Sequence, residues 1–413
     1  MYREYSHKII TFLAILLPPA LVTGPFLPDL FISIMGLIFI SLTINNFKDY
    51  LKLKFVIIFL FFYFFIIVST ILSYDPTISL ESSLFYFRFL FYSLVIFYIL
   101  NNNKNFIKLL ILSFTFTFGL IYFDSILQLL IGINLIGYEY NSRSGINSFF
   151  GTNEDGILGS YIVRLTPIFC SLIAYKYLNN NFTKYLIIFL FIGSSVISLL
   201  AQERATFFLS LIPIFLCIFC TNLFNNKLKI FFTIFIITLV IFIIFLNHEV
   251  YTRFIISIRN QMFIHDDFII FSYKHHAHYL SAIKMFIHEP LFGVGPKMFR
   301  HLCDENIFYI YQACSTHPHN TYIQLLAETG IFSFIFVLLI FFYFLLKVLK
   351  QIYALYISKK QILDTHRILL ISSILISLWP IAPTGNFFNN WLNVIYFLPF
   401  GFWLYFSKNS KNK

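Results

Sequence analysis

Residues 230–246 read IFFTIFIITLVIFIIFL, a run without a charge, a proline or a glycine. Apolar side chains surround such a segment on every side, so it leaves no face for water. A half-buried strand would alternate apolar with polar residues, and a lipid-facing barrel strand would alternate over about ten residues. An unbroken run excludes both. A helix satisfies its own backbone groups, as hydrocarbon requires, and crosses the bilayer core in roughly 20 residues.

This run lies in a candidate helix at 229–247, and similar runs recur at 9–24, 28–44, 55–73, 84–100, 106–130, 157–175, 185–201, 205–221, 321–346, 367–380 and 391–406. Hydrophobic residues make up 59% of the chain, aromatics 21% and charged residues 11%, with a mean hydropathy of +0.81. No water-soluble domain of this size carries that balance without aggregating. The expected fold is an all-α polytopic membrane protein with about 12 transmembrane helices. The opening MYREYSHKIITFLAILL has the charge and apolar run of a signal peptide, but no small-residue cleavage site follows Pro18 and Pro19, which predicts a retained first helix.

The net charge of +11 is spread as short loop clusters rather than gathered into a basic domain, which argues against a nucleic-acid partner. Alternate connections hold Arg3 and Lys8; Lys48, Lys52 and Lys54; Lys104 and Lys108; Lys176 and Lys184; Lys227 and Lys229; Lys347, Lys350, Lys359, Lys360 and Arg367; and Lys408, Lys411 and Lys413. The other short connections are nearly free of lysine, so the lysine-rich set is expected to be cytoplasmic, with both termini inside. The chain then divides into helices 1 to 9 at 1–247, one large periplasmic loop at 248–320, and helices 10 to 12 with a cytoplasmic tail at 321–413. The expected location is the bacterial inner membrane.

Outside the long loop, the cations on the lysine-poor side are Arg88, Arg143, Arg164 and Arg204, each at or just inside a helix end. An arginine so placed is costly unless it pairs or lines a wet cavity. For Arg88, snorkelling to lipid headgroups is the alternative. Arg204 sits with Glu203 in the tight turn AQERATFFLSL, and Arg143 and Arg164 flank GTNEDGILGSY, whose glycines permit close backbone approach. Guanidinium suits a bidentate grip on phosphate oxygens, so an anionic ligand is expected at this face.

Within the loop, His275, Tyr279, Ala282, Met285 and Phe286 share a helical face, Pro290 ends that helix, GVGP turns, and PKMFR opens a second short helix. Cys303 and Cys314 are the two cysteines outside the apolar runs and form a disulfide or remain free thiols. His265, His275, His276, His278, His288, His301, His317 and His319 all fall in this loop. Their spacing fixes no zinc tetrahedron, and neither a metal nor a cofactor is expected. A single histidine acting as proton acceptor suits them better. His319 stands out because it precedes Asn320, a cap for the next helix, with Glu328 further along.

The stretch 273–330 resembles the O-antigen ligase and O-antigen polymerase family, membrane glycan transferases acting on undecaprenyl-pyrophosphate-linked sugars. The resemblance lies in the order of the amphipathic helix, PLFGVGP, Phe299-Arg300, HPHNTYIQ and AETG, and it extends loosely to Arg204 and GTNEDG. It implies that His319, the histidine before asparagine, is essential, and that Arg204 matches the arginine after a short outer turn. Where the family often has a loop arginine four residues before a tryptophan, this chain has His275 and Tyr279, leaving Lys274, Lys297 or Arg300 to supply charge.

The resemblance also implies an inverting transfer in which an acceptor hydroxyl, on lipid A core or another lipid-linked repeat, attacks the anomeric carbon and the lipid diphosphate leaves. His319 and Arg204 are then the expected catalytic residues. Arg143, Arg164, His275, Lys297, Arg300, His317, Asn320 and Glu328 are the expected substrate-binding residues. Ligase and polymerase remain alternatives. A polysaccharide flippase or other transporter would call for ionisable residues near helix centres and for internal repeats, whereas charge here gathers at one face.

Overall fold

The computed structural model describes residues 2–142, 144–151, 156–264, 267–269 and 271–409. Each apolar run is helical. The principal helices are α1 (Tyr2–Ile15), α2 (Phe26–Thr43), α3 (Lys54–Ile71), α4 (Arg88–Asn102), α5 (Phe106–Ile131), α6 (Leu158–Tyr177) and α7 (Asn181–Leu200). They continue as α8 (Arg204–Phe219), α9 (Asn226–Leu246), α10 (Tyr273–His288), α11 (Phe299–Leu302), α12 (Thr321–Tyr356), α13 (Thr365–Ser377) and α14 (Asn390–Asn409). Among the described residues, 8 helices are long and apolar enough to cross a membrane, and the apolar α8 and α13 are shorter. An antiparallel pairing of Phe263–Ile264 with Asp267–Phe268 interrupts the helical pattern only briefly.

The centre of the bundle is α6 packed between α7 and α13, and nearly every residue of α6 from Leu158 to Ala174 is buried. Lipid is as apolar as leucine, so helices here associate by close packing rather than by expulsion of water. Small residues allow it: a Cβ on Gly401 would meet Ile96 at 2.6 Å, and one on Gly193 would meet Tyr122 at 2.7 Å. At the periphery, α9 buries only Ile236.

Helix direction gathers the ends. The C-termini of α3 and α7 and the N-termini of α6, α8 and α12 lie on the face that carries the Tyr273–Asn320 segment, linked by the contacts described below. The lysines of the loop-charge pattern stand at the opposite ends, as with Lys176 in the last turn of α6 and Lys227 and Lys229 in the first turn of α9. Arg88 is settled by protein. Its Nε donates to Asp29 Oδ1 at 2.7 Å and its Nη2 to Asn390 Oδ1 at 2.7 Å, tying together the N-termini of α2, α4 and α14.

The long segment before α12 has its own small core of Ala282, Met285, Val294, Met298, Phe299, Leu302, Cys303, Phe308 and Ala327. Helix α10 ends before Pro290 as its sequence predicts, although it buries Ala277, His278, Ser281, Ala282 and Met285 and leaves Tyr279 and Phe286 half-buried. Cys303 and Cys314 form a disulfide with a Cα–Cα distance of 5.3 Å. Asp304 lies beside them, but sulfurs committed to a disulfide offer no thiolate to a metal.

The glycine turn docks into a break in α12. Val294 N donates to Ala327 O at 2.9 Å, Gly295 N to Glu328 O at 2.9 Å, and Ile331 N to Pro290 O at 3.0 Å. Gly330 opens the helix there with φ 73 and ψ −174. Ser69 Oγ donates to Glu328 O at 2.9 Å and Ser79 Oγ to Pro296 O at 2.9 Å, so α3 and the short helix Pro76–Ser83 hold the turn from the other side.

Candidate functional site

The site forms around the N-terminus of α12. Asn320 caps it, its Oδ1 accepting from Tyr322 N at 2.9 Å and Ile323 N at 3.1 Å while its Nδ2 donates to Pro380 O at 2.8 Å. The preceding His319 has φ 57, a left-handed conformation in which His, Asn and Asp are enriched. Its carbonyl accepts from Thr384 N at 2.9 Å, and its Nε2 is hydrogen-bonded to Ser315 Oγ at 3.0 Å. The connection between α13 and α14 thus fixes the residue that the sequence marks for proton transfer.

Three more imidazoles surround it. The ring centroids of His317, His278 and His275 lie 4.1, 5.3 and 5.5 Å from that of His319. His278 Nδ1 donates to Ala313 O at 2.6 Å, His317 Nε2 donates to Thr384 O at 3.2 Å, and His275 Nδ1 is hydrogen-bonded to Ser272 Oγ at 2.8 Å. Burial lowers the pKa of all three, to about 4 at His275 and about 3 at His317, and the neighbouring imidazole of His319 adds to the effect at these two. The three are therefore neutral near pH 7. His276 and His301 are exposed, His288 is hydrogen-bonded to Tyr74 OH at 3.2 Å, and His265 lies outside the described residues.

The turn between α7 and α8 brings the arginines. Leu200 O accepts from Ile146 N at 3.3 Å, and Gln202, at φ 55, donates from Nε2 to Ser142 O at 3.0 Å. Glu203 reaches across to the N-terminus of α6, where Gly159 N and Ser160 N donate to its carboxylate at 2.6 and 2.9 Å. Burial raises its pKa, and these two donors together with Thr206 oppose the shift. A Cβ on Gly156 or Gly159 would meet the Glu203 carboxyl carbon at 2.9 Å, which explains these two glycines of GTNEDGILGSY.

Arg204 is half-buried next to this latch, within electrostatic reach of His275 and of Arg253. Arg253 Nε donates to Gln202 O at 3.5 Å. Among the described residues no carboxylate forms an ion pair with either guanidinium. The arrangement is a set of neutral imidazoles beside two cations without a carboxylate partner among the described residues, suited to an anion next to a proton acceptor.

The other expected residues divide. Arg300 lies within electrostatic reach of His317, Glu328 and Glu81 and has a buried Nε without a hydrogen-bond partner among the described residues. Lys297 is ion-paired with Glu81. Glu328 is fully buried; its carboxylate accepts from Gln324 Nε2 at 2.8 Å and Phe299 N at 3.3 Å, so it joins α12 to α11. Arg164 is 3% exposed inside the bundle, bonded through Nη1 to Ser160 Oγ and near Glu203 rather than among the histidines. Arg143 lies outside the described residues. Arg253 and Thr384 were not singled out in the sequence. Arg253 falls in the long segment exempt from the loop-charge count, and Thr384 is 65 residues from His319 in the chain.

Residues 188–338 match the protein family described as O-antigen ligase. This stretch is similar to the O-antigen ligase domain. No curated protein matches the chain. The O-antigen ligase domain runs from within α7 to the middle of α12, so it contains Arg204, Arg253, the four clustered histidines, Arg300 and the docked glycine turn, whereas Arg164 and Thr384 lie beyond its limits. It supports a ligase- or polymerase-type role in surface-polysaccharide biosynthesis on lipid-linked glycans in a membrane.

Proposed function

We propose that the protein is an inverting glycosyltransferase that moves a glycan from undecaprenyl pyrophosphate to an acceptor hydroxyl, on lipid A core or on another lipid-linked repeat. His319 receives the proton of the acceptor hydroxyl as its oxygen forms a bond to the anomeric carbon, and the bond from that carbon to the lipid diphosphate breaks. Arg204 and Arg253 take up the charge on the leaving diphosphate, a role for preorganised cations in a water-poor site. Positive potential at the N-terminus of α12 adds to theirs. The reading is carried by the meeting of His319 and His275 with Arg204 and Arg253, neither of which has a carboxylate partner among the described residues.

This reading puts the histidine face in the periplasm and both termini in the cytosol of an inner-membrane protein. A periplasm-dependent reporter inserted at residues 304–312 is expected to be active, and activity there of a cytosol-only reporter overturns the orientation. His319→Ala is expected to lower transfer by about 10²–10⁴ and Arg204→Ala by about 10²–10³, with the protein still inserted. Full complementation of a deletion strain by both variants removes the site assignment. In the same strain, loss of all capped core indicates a ligase, and core bearing a single repeat indicates a polymerase.

A further inference from the structure

Each of the two site arginines has an acidic neighbour in the chain. Glu203 immediately precedes Arg204, and Glu249 precedes Arg253 by four residues, the spacing at which glutamate and arginine pair along a helix. Among the described residues neither pair forms. Both carboxylates are taken up elsewhere, Glu203 by Gly159 N and Ser160 N, and Glu249 by Tyr140, whose OH donates to its Oε2. Arg253 itself sits in a π turn, Thr252–Ile256, a widening of the helix that recurs at functional sites.

The loop that carries Tyr140 is anchored by the end of α5. Tyr140 N donates to Gly132 O at 2.7 Å. Two buried polar side chains of α5 hold the loop from beneath: Asp124 accepts from Leu135 N and Ser148 Oγ, each at 2.7 Å, and Gln128 Oε1 accepts from Asn147 N at 2.8 Å and Ser148 N at 2.9 Å. The Tyr140 hydroxyl lies beside Gln202 and Asn247 as well as Glu249, so it meets both the turn before Arg204 and the segment before Arg253. Burial, and then Glu249, raise its pKa; the phenol keeps its proton and remains a donor.

We propose that Tyr140 is a positioning residue that withholds Glu249 from Arg253, so that Arg253 and Arg204 together present two positive charges to a diphosphate group. The proposal rests on the donor-site reading and names what keeps that site cationic. A Glu249 carboxylate released from Tyr140 stands one helical turn from the Arg253 guanidinium, where it neutralises half of the positive charge and repels the incoming anion.

Isothermal titration of the full-length protein in detergent with farnesyl diphosphate, a short polyprenyl diphosphate, tests this. Tyr140→Phe is expected to weaken binding about 10-fold, and the Y140F/E249Q double variant to regain most of the loss, because an amide cannot neutralise Arg253. A merely structural tyrosine would give no such rescue. Wild-type affinity in Tyr140→Phe, or a double variant that binds no more tightly than Tyr140→Phe, overturns the proposal. Arg253→Ala separates the two levels: if it weakens binding while Tyr140→Phe does not, only the withholding of Glu249 fails, and if it binds as tightly as wild type, the donor-site reading fails and this proposal with it.

Discussion

Arg204 and Arg253 repel each other across a half-buried turn, and an anion between them removes that penalty. Arg253→Ala is therefore expected to raise KM for the lipid-linked donor about 10- to 100-fold, with a smaller fall in kcat, in a transfer assay with purified protein. Arg253→Lys should recover only part, because an ammonium cannot make the two-pronged contact. Unchanged KM in Arg253→Ala would remove the residue from the donor site. The histidines give a second expectation. His275 and His317 are held neutral by burial, at about 4 and about 3, against about 6.5 in an unfolded chain. Between those limits the unfolded state binds more protons, so stability is full above about pH 6.5 and declines as pH falls toward 4. The thermal midpoint in detergent should follow that course, and His317→Gln should flatten it. His319 and Arg204 were legible in the sequence because each stands at a helix start beside a break. Arg253 and the ring packing around His319 were not, since they depend on segments distant in the chain.

Among the elements, the join of the glycine turn to α12 carries the most constraint. Gly330 adopts a backbone conformation that is almost glycine-specific, and a Cβ there would meet Leu291 O at 2.2 Å. Gly330→Ala is expected to cost about 3 kcal/mol or more of local stability, from strain plus displaced backbone. It should appear as faster hydrogen exchange at the amides of Val294 and Gly295, which are bonded to Ala327 and Glu328. Retained protection would show that the turn does not depend on the break. The helices themselves were readable from continuous apolar runs, as were the ends of α10 at Pro290 and the cap at Asn320. The break in α12 was not, because AETG sits inside a stretch whose neighbours all favour helix, and only the docked turn reveals why a glycine ends the motif. Reading Arg88 as a ligand or headgroup contact likewise overlooked Asp29, which precedes it by 59 residues.

Across the molecule, the charge pattern is the simplest large-scale feature. Outside the Tyr273–Asn320 segment the lysines stand at one end of the helices, with the clustered histidines, Arg204 and Arg253 at the other, and this separation was visible in the sequence before any packing was known. What the sequence could not disclose is which distant connection completes the site. Residues 380–387 supply Thr384 to His317 and His319, Pro380 O to Asn320, and Phe387 N to Gln324 Oε1 at 2.8 Å. These partners lie past the end of the O-antigen ligase domain, and no local pattern announces them.

A gene cut after residue 360, in the connection between α12 and α13, would therefore encode every imidazole and guanidinium assigned to catalysis and still lack the strap that seats them. Such a truncate is expected to insert yet give no transfer. Co-expressing residues 361–413 as a separate polypeptide should restore transfer in part, and Thr384→Pro, which deletes the amide donating to His319, should block that rescue.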